Sequence, residues 1–406
     1  MINLFYTDVF FLSLLMFVVT ILGNGSTENL VIAAVVMVCG IYAFSRYNFI
    51  KANHSLQERK SLLIWILLFF TMYMMYGNFF HAGVDPLGGN DAAFVFLLAT
   101  LDTLMIISPY SNERLFKLLE YAFFITFIFY VVFFIYLLMS MSIQELLMYR
   151  LGDQVNGVSV VKGDSNTIAM NIMILSIFMY AKLFVEKKRI YALFILLSMA
   201  IIIFTGSKMG IFSIIIYSVT FGIFFSTNRL KHSLLILGMI VALFAIIFSN
   251  DYLYLLVGHR IEDFFGMFGL VEHTEYSNST AIRESMNQVG ISMWLDSPIF
   301  GNGRAAFRGY SGFQTWSHNN YLEILTSFGI FGLIVNYWYI FVLFIKALYM
   351  RNSRDLGIML VFAYCIISFF MDVVAVRYAL YMTSIMTVIS GVLVNNAENK
   401  TVRKYE

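Results

Sequence analysis

Tyr121-Ala122-Phe123-Phe124-Ile125-Thr126-Phe127-Ile128-Phe129-Tyr130-Val131-Val132-Phe133-Phe134-Ile135-Tyr136-Leu137-Leu138 is a run of eighteen residues without a single charge. That length is enough for a helix to cross the hydrocarbon of a bilayer. The run is continuously apolar and does not alternate with period two, so it reads as a helix and not as a strand of a membrane barrel. It is the centre of a longer apolar run at 115–141, which has length to spare for tilt or for continuing past the bilayer.

Working outward, similar runs stand at about 8–23, 29–46, 61–79, 91–108, 166–186, 190–205, 208–226, 232–250, 317–346, 355–374 and 376–394. The composition agrees: of 406 residues, 60% are apolar and only 12% charged, about half the charged share of a soluble domain. A soluble enzyme is excluded, and so is a membrane anchor attached to a separate soluble catalytic domain. Three prolines and a net charge of +2 argue against a disordered or nucleic-acid-binding chain. The expected fold is an all-α polytopic membrane protein of about twelve transmembrane helices, forming a single membrane domain over 1–406. The start, Met1 to Asp8, lacks the basic region and cleavage site of a signal peptide, so the first run is expected to be a retained helix. Cys39 and Cys365 both lie inside apolar runs and read as small buried hydrophobes, not as a disulfide or metal site.

Orientation follows from the basic residues, which favour cytoplasmic loops. Eighteen of the 26 fall in one alternate set of connections, which places both termini in the cytoplasm. The other set holds Arg150, Lys162, Lys208, Arg260, Arg283, Arg304, Arg308 and Arg377. The extracytoplasmic side then carries two long connections, at 142–165 and at 251–316 between helices 9 and 10. The second far exceeds an ordinary helix connection. It contains a helix-like piece at 282–288 and the turn Gly301-Asn302-Gly303.

Chemistry is expected on that outer side. A planar guanidinium binds phosphate through two parallel hydrogen bonds, so Arg260, Arg283, Arg304 and Arg308 can hold a lipid-linked pyrophosphate. The bland alternative is snorkelling to headgroups or pairing with Glu262, Asp263 and Glu284. In Thr205-Gly206-Ser207-Lys208-Met209-Gly210, a lysine beside a helix N-terminus makes an anion site or simply a tight turn. The densest signal is Trp294-Leu295-Asp296-Ser297-Pro298-Ile299-Phe300-Gly301-Asn302-Gly303, then Trp316-Ser317-His318-Asn319-Asn320-Tyr321-Leu322-Glu323, then Gly329-Ile330-Phe331-Gly332. Ser317 is expected to cap the next helix and to hold His318 where an imidazole can accept or relay a proton. Glu323 falls about one and a half turns deeper. An unpaired carboxylate facing lipid is costly, so it must face protein or water. Asp102 and Asp372 are in-span acids of the same kind, and Asp372 can pair with Arg377 across a tight turn.

These residues resemble the signature of the O-antigen ligase/polymerase superfamily, which includes Wzy-type polymerases and WaaL-type ligases. The likeness lies in the Gly-x-Gly turn, His-Asn-x-Tyr-Leu-Glu, Gly-Ile-x-Gly, and the upstream Ser-Lys-x-Gly that opens a helix, and it covers about 200–345. Lys208 stands where the family usually has arginine, which keeps the charge and loses the bidentate fork. The resemblance implies glycosyl transfer at the outer face of a bacterial inner membrane, from a glycan on undecaprenyl pyrophosphate, with no cofactor, nucleotide or metal. It also implies roles: Lys208, Arg260, Arg283, Arg304 and Arg308 at the pyrophosphate, and His318 activating the acceptor hydroxyl with Asn319 and Glu323 in support. The partners implied are the lipid-linked oligosaccharide, the bilayer and a separate protein that regulates chain length.

Three activities compete. A polymerase joins lipid-linked repeat units; a ligase moves a finished glycan to a lipid A core or another acceptor; a flippase moves lipid-linked glycan without covalent chemistry. Transporters concentrate ionisable residues near the midplane, whereas this sequence concentrates them outside the spans, which favours an enzyme.

Overall fold

The structure is a computed structural model. It describes residues 2–21, 28–49, 60–76, 89–107, 109–110, 112–140, 154–155, 158–159, 165–184, 188–205, 207, 210–211, 214–215, 218–219, 229–258, 261–262, 278–315, 317 and 319–349. The helices are α1 (Ile2–Ile21), α2 (Glu28–Phe49), α3 (Lys60–Met75), α4 (Gly89–Ile107), α5 (Asn112–Ser140), α6 (Ser165–Phe184), α7 (Tyr191–Phe204), α8 (Arg229–Ser249), α9 (Asp251–Leu253), α10 (Asn278–Asp296), α11 (Ala306–Tyr310) and α12 (Asn320–Tyr349). A π-helical turn, Tyr254–Gly258, follows α9. Nine of the twelve expected runs coincide with α1–α8 and α12. The run at 208–226 is described only in part, and those at 355–374 and 376–394 lie outside the described residues, as do Cys365, Asp372 and Arg377. By length and composition, Lys117–Tyr136 and Asn320–Tyr339 are long and apolar enough to cross a membrane.

Within the connection at 142–165, Gln154–Val155 (β1) pairs antiparallel with Val158–Ser159 (β2), Val155 opposite Val158. The sequence between them, Asn156-Gly157, suits a two-residue hairpin. The helix-like piece at 282–288 is part of α10, and the described residues of the expected loop 251–316 are largely helical.

The chain divides into two compact units. The first comprises Met1–Leu119, Asn278–Met350 and Met371–Glu406; the second comprises Glu120–Ser277 and Arg351–Phe370. Within the second unit, α5 and α6 run antiparallel. Glu120 pairs with Lys182 at 2.7 Å, Phe123 meets Phe178 edge to face at 4.9 Å, and Asn171 donates to the Tyr130 hydroxyl. Tyr180, fully buried, shares a 2.8 Å hydrogen bond with Ser218.

Within the first unit, several buried polar groups among the described residues are tied to neighbours. Asp8, on α1, is fully buried and accepts hydrogen bonds from the hydroxyls of Tyr42 on α2 and Tyr110 after α4. Phe11 stacks on the Tyr42 ring at 3.9 Å. Asp102, on α4, is buried against α2 at Gly40, where a Cβ would lie 3.0 Å from its Oδ1. Cys39 is buried there too, as expected. Trp65 on α3 is fully buried and donates through Nε1 to the Asn336 carbonyl at 3.3 Å. Phe328 sits against Tyr73 and Tyr76, at 6.1 and 5.1 Å between ring centroids.

The run read as one span at 317–346 is not one rod. Helical geometry in α12 breaks at Gly329, with φ 65° and ψ −164°. Asn320 donates to the Tyr337 hydroxyl, and Tyr321 stacks on Tyr337 at 5.6 Å. Seventeen residues of straight helix would separate Asn320 from Tyr337 by about 25 Å. The two halves therefore double back on each other at Gly329. The second half, 330–349, is long enough to cross a bilayer by itself.

The break leaves backbone groups that an intact helix would pair. In an unbroken helix, Ile330 N–H and Phe331 N–H would bond the carbonyls of Thr326 and Ser327. Here Ile330 N donates to Pro298 O at 2.9 Å and Phe331 N to Ile299 O at 3.0 Å. Asn302 N donates to Thr326 O at 2.8 Å and Gly303 N to Ser327 O at 3.0 Å. The strip 298–303 thus satisfies all four groups, each of which would cost about 1–3 kcal/mol if left buried and unpaired. The approach is too close for side chains. A Cβ on Gly301 (φ 72°) would lie 2.5 Å from Phe328 N, and one on Gly329 would lie 2.3 Å from Ile299 O.

Candidate functional site

The Gly-x-Gly turn, the polar segment at 317–323 and the second glycine pair form one local structure. Asn302 fixes the strip's far side: its Nδ2 donates to Met293 O at 2.6 Å. Ser297 Oγ donates to Gly301 O at 2.8 Å, and Trp294 Nε1 to Pro298 O at 3.2 Å. The strip leads directly into Arg304, which precedes Ala305 in the left-handed region (φ 59°). Arg304 is almost wholly buried, with its guanidinium 5.2 Å from the centre of the Tyr73 ring. A desolvated cation over an aromatic face is worth about 2 kcal/mol. Among the described outer arginines it is the one that is buried. Arg308, in α11, is half-buried, and Arg283, in α10, is exposed.

The cap of α12 differs from expectation. Leu322 N donates to Asn319 Oδ1 at 3.3 Å, and Glu323 N makes the first helical bond to Asn319 O at 2.9 Å. Asn319 is therefore the cap and Ser317 is not. Asparagine serves as well as serine at a cap, so the composition of Ser317-His318-Asn319 left the choice undetermined. Ser317 Oγ instead donates to Asn319 O at 3.0 Å and accepts from Asn319 N at 3.4 Å. Glu323, fully buried, accepts from Ser317 N through Oε2 at 2.9 Å, so it faces protein as expected. His318 itself lies outside the described residues, while both of its neighbours are in place.

A residue that the sequence reading missed ties this segment to α10. Asn319 Nδ2 donates to Asn287 Oδ1 at 3.2 Å. One turn on, a Cβ at Gly290 would lie 2.4 Å from Leu322 Cδ2, so the two helices touch closely there. Contacts at 287 with 319 and at 290 with 322 mean that α10 and the first half of α12 run parallel. Arg283 lies four residues before Asn287, on the same helix face. That register puts it one turn beyond the cap, toward the stretch that carries His318. The spacing Arg283-Asn287-Gly290 at i, i+4, i+7 was the available signal for this face.

In the second unit, Ser207 opens a helical turn as the Ser-Lys-x-Gly pattern implies. Its buried Oγ accepts from Gly210 N at 3.0 Å, and Ile211 N donates to Ser207 O at 3.0 Å. Gly210 is required by closeness to α6, since a Cβ there would lie 2.6 Å from Ala169 Cβ. Lys208 and Arg260 lie outside the described residues. Glu262, one of the acids adjacent to Arg260, accepts from Tyr254 Oη at 2.7 Å.

Comparison with known families agrees with the motif reading. Residues 191–337 match the family model described as O-antigen ligase (Wzy_C). The match supports a likeness of this segment to the O-antigen ligase/polymerase superfamily, whose members are membrane glycosyltransferase-like ligases and polymerases. The match ends at Tyr337, where the second half of α12 meets Asn320 and Tyr321 of the first. No curated protein matches the chain.

Proposed function

We propose that this protein is a polymerase. It joins undecaprenyl-pyrophosphate-linked oligosaccharide repeat units into a surface polysaccharide, O-antigen or capsule, at the outer face of the bacterial inner membrane. In this reading the chain is multi-pass, with about twelve spans, both termini cytoplasmic and 251–316 extracytoplasmic. The observation that carries it is the placement of exposed Arg283 one turn from Asn287, which holds the cap beside His318.

The chemistry follows from that placement. The acceptor sugar's hydroxyl oxygen attacks the anomeric carbon of the donor glycan. The bond from that carbon to the pyrophosphate oxygen breaks, and undecaprenyl pyrophosphate leaves with the electron pair. His318 takes the hydroxyl proton, with Asn319 and Glu323 supporting it. Charge grows on the leaving pyrophosphate, where fixed cations stabilise the transition state more than the ground state. Arg283 is suited to this by exposure, and Arg308, Lys208 and Arg260 by their place in the sequence. Arg304, buried against Tyr73, contributes by fixing the turn and by its field. No cofactor or metal enters this scheme.

A second reading is favoured by the matched family's description as O-antigen ligase; in it the protein transfers lipid-linked glycan to a lipid A core or another acceptor. Deleting the gene in its native strain and resolving the surface polysaccharide on a gel separates the two. A single repeat attached to the core in place of a ladder is the polymerase result. Intact lipid-linked polymer with nothing attached is the ligase result. Complementation with His318→Ala is expected to leave the defect in place; full restoration would remove His318 from the chemistry.

A further inference from the structure

Between the strip 298–303 and the cap of α12, the chain makes a tight turn that the transfer chemistry above does not use. Phe307, in α11, is fully buried, and Phe313 folds back to stack on it, with ring centroids 6.1 Å apart and planes 3° from parallel. Ser311 N donates to Phe307 O at 2.9 Å, and Ser311 Oγ accepts from Phe313 N at 3.2 Å. The chain therefore reverses at 310–312 on a base fixed from within. Outward, the turn presents Tyr310, which is 57% exposed. Gly312 follows (φ 83°), where an added Cβ would meet nothing within 4 Å. Gln314 is exposed too, and it sits in the left-handed region at φ 55°. That conformation strains a residue other than glycine. The Gln314 amide makes no hydrogen bond among the described residues, so the strain brings the fold nothing visible in return.

The composition says what such a turn suits. From Arg304 to Trp316 there is no Leu, Ile, Val or Met, which sets the stretch apart from a surface for acyl chains. A sugar ring has an apolar face of C–H bonds and an edge of hydroxyls. A flat aromatic ring covers the first, and a planar amide, donor and acceptor at once, pairs with the second. Resting on the glycosyl-transfer reading above, we propose that the turn 310–314 is an oligosaccharide-binding surface. Tyr310 is the platform on which a sugar ring stacks, and Gln314 pairs with hydroxyls of the same oligosaccharide. The base formed by Phe307 and Phe313 holds the turn ready, so little ordering is needed on binding. Gln314 precedes His318 by four residues, which keeps their Cα atoms within about 14 Å by chain length alone. A short oligosaccharide held at the turn therefore reaches the transfer site.

The test uses full-length protein in lipid nanodiscs. The probe is the lipid-free oligosaccharide released from the native strain's lipid-linked repeat unit, and binding is read by saturation-transfer NMR and titration. Tyr310→Ala is expected to weaken binding about tenfold, whereas Tyr310→Phe, which keeps the ring, retains most of it. Gln314→Gly removes the amide and relieves the left-handed strain, so it should weaken binding with no fall in thermal midpoint. In turnover with lipid-linked repeat units, Tyr310→Ala should raise KM and change kcat little. If the free oligosaccharide is elongated and its KM rises in Tyr310→Ala, the turn holds the acceptor. If only the KM of the lipid-linked donor rises, it holds the donor glycan. No saturable binding by the folded wild type, or unchanged binding in both folded variants, overturns the inference. So do variants that bind normally yet alter chain length in cells, since the turn would then seat a protein partner. Binding that depends on Tyr310 in a wild type that transfers no glycan sinks the transfer reading and leaves the surface standing.

Discussion

Gly329 and Gly301 carry constraints that no other residue type meets. Both have positive φ, and both place backbone where a Cβ would need to be. Gly329→Ala combines left-handed strain with overlap against Ile299, and is expected to cost about 2–5 kcal/mol. Thermal unfolding in detergent should show a large fall in midpoint. Gly238, in α8, has open space where a Cβ would go. Gly238→Ala is expected to be neutral or to stabilise by about 0.5–1 kcal/mol through helix propensity. Equal effects at the two positions would contradict the account of the break. At this scale the sequence was partly legible. The glycines stood out as a motif, yet a Gly-x-x-Gly pair in an apolar run is also compatible with an unbroken membrane helix. What separates the two is the partner strip 298–303, about thirty residues away, and that pairing is invisible to local reading. Asp8 escaped notice for a related reason, since its two tyrosine donors, Tyr42 and Tyr110, lie far from it in sequence.

Elements were the most legible scale. Nine apolar runs became helices because continuous apolarity leaves the backbone no partner other than itself. The parallel contact of α10 with the first half of α12 was not legible, since α10 is polar enough to pass for loop. That contact depends on Asn287 with Asn319 and on Gly290 with Leu322. A double-mutant cycle on Asn287→Ala and Asn319→Ala, read by unfolding, is expected to give a coupling of about 1 kcal/mol. Coupling near zero would mean that α10 is not held on the cap in solution. The α5–α6 pair is fixed differently, by the Lys182–Glu120 ion pair and aromatic contacts. Lys182 therefore serves the fold as well as the charge bias that sets orientation.

For the whole molecule, charge scarcity makes the placement of each cation informative. In the reading proposed here, Arg283 is extracytoplasmic and Lys188 cytoplasmic. With both native cysteines replaced, Arg283→Cys should react with a membrane-impermeant thiol reagent in intact cells. Lys188→Cys should react only after the membrane is opened. The reverse pattern would turn the proposed topology over and move Arg283 away from an outer-face donor. Function class was legible here through motif order, and the family match over 191–337 agrees with it. The division between polymerase and ligase was not, because both need the same leaving-group cations and the same proton acceptor, and differ only in the acceptor bound.

The central claim is that this single chain transfers glycan from undecaprenyl pyrophosphate using His318. The direct measurement is reconstitution of the purified protein in nanodiscs with lipid-linked repeat units alone, without nucleotide sugar, following chain length and released lipid pyrophosphate together. The account predicts a ladder of products with one lipid pyrophosphate released per linkage, both absent in His318→Ala. Release without glycan transfer, no reaction from a folded protein, or an undiminished ladder from His318→Ala would contradict it.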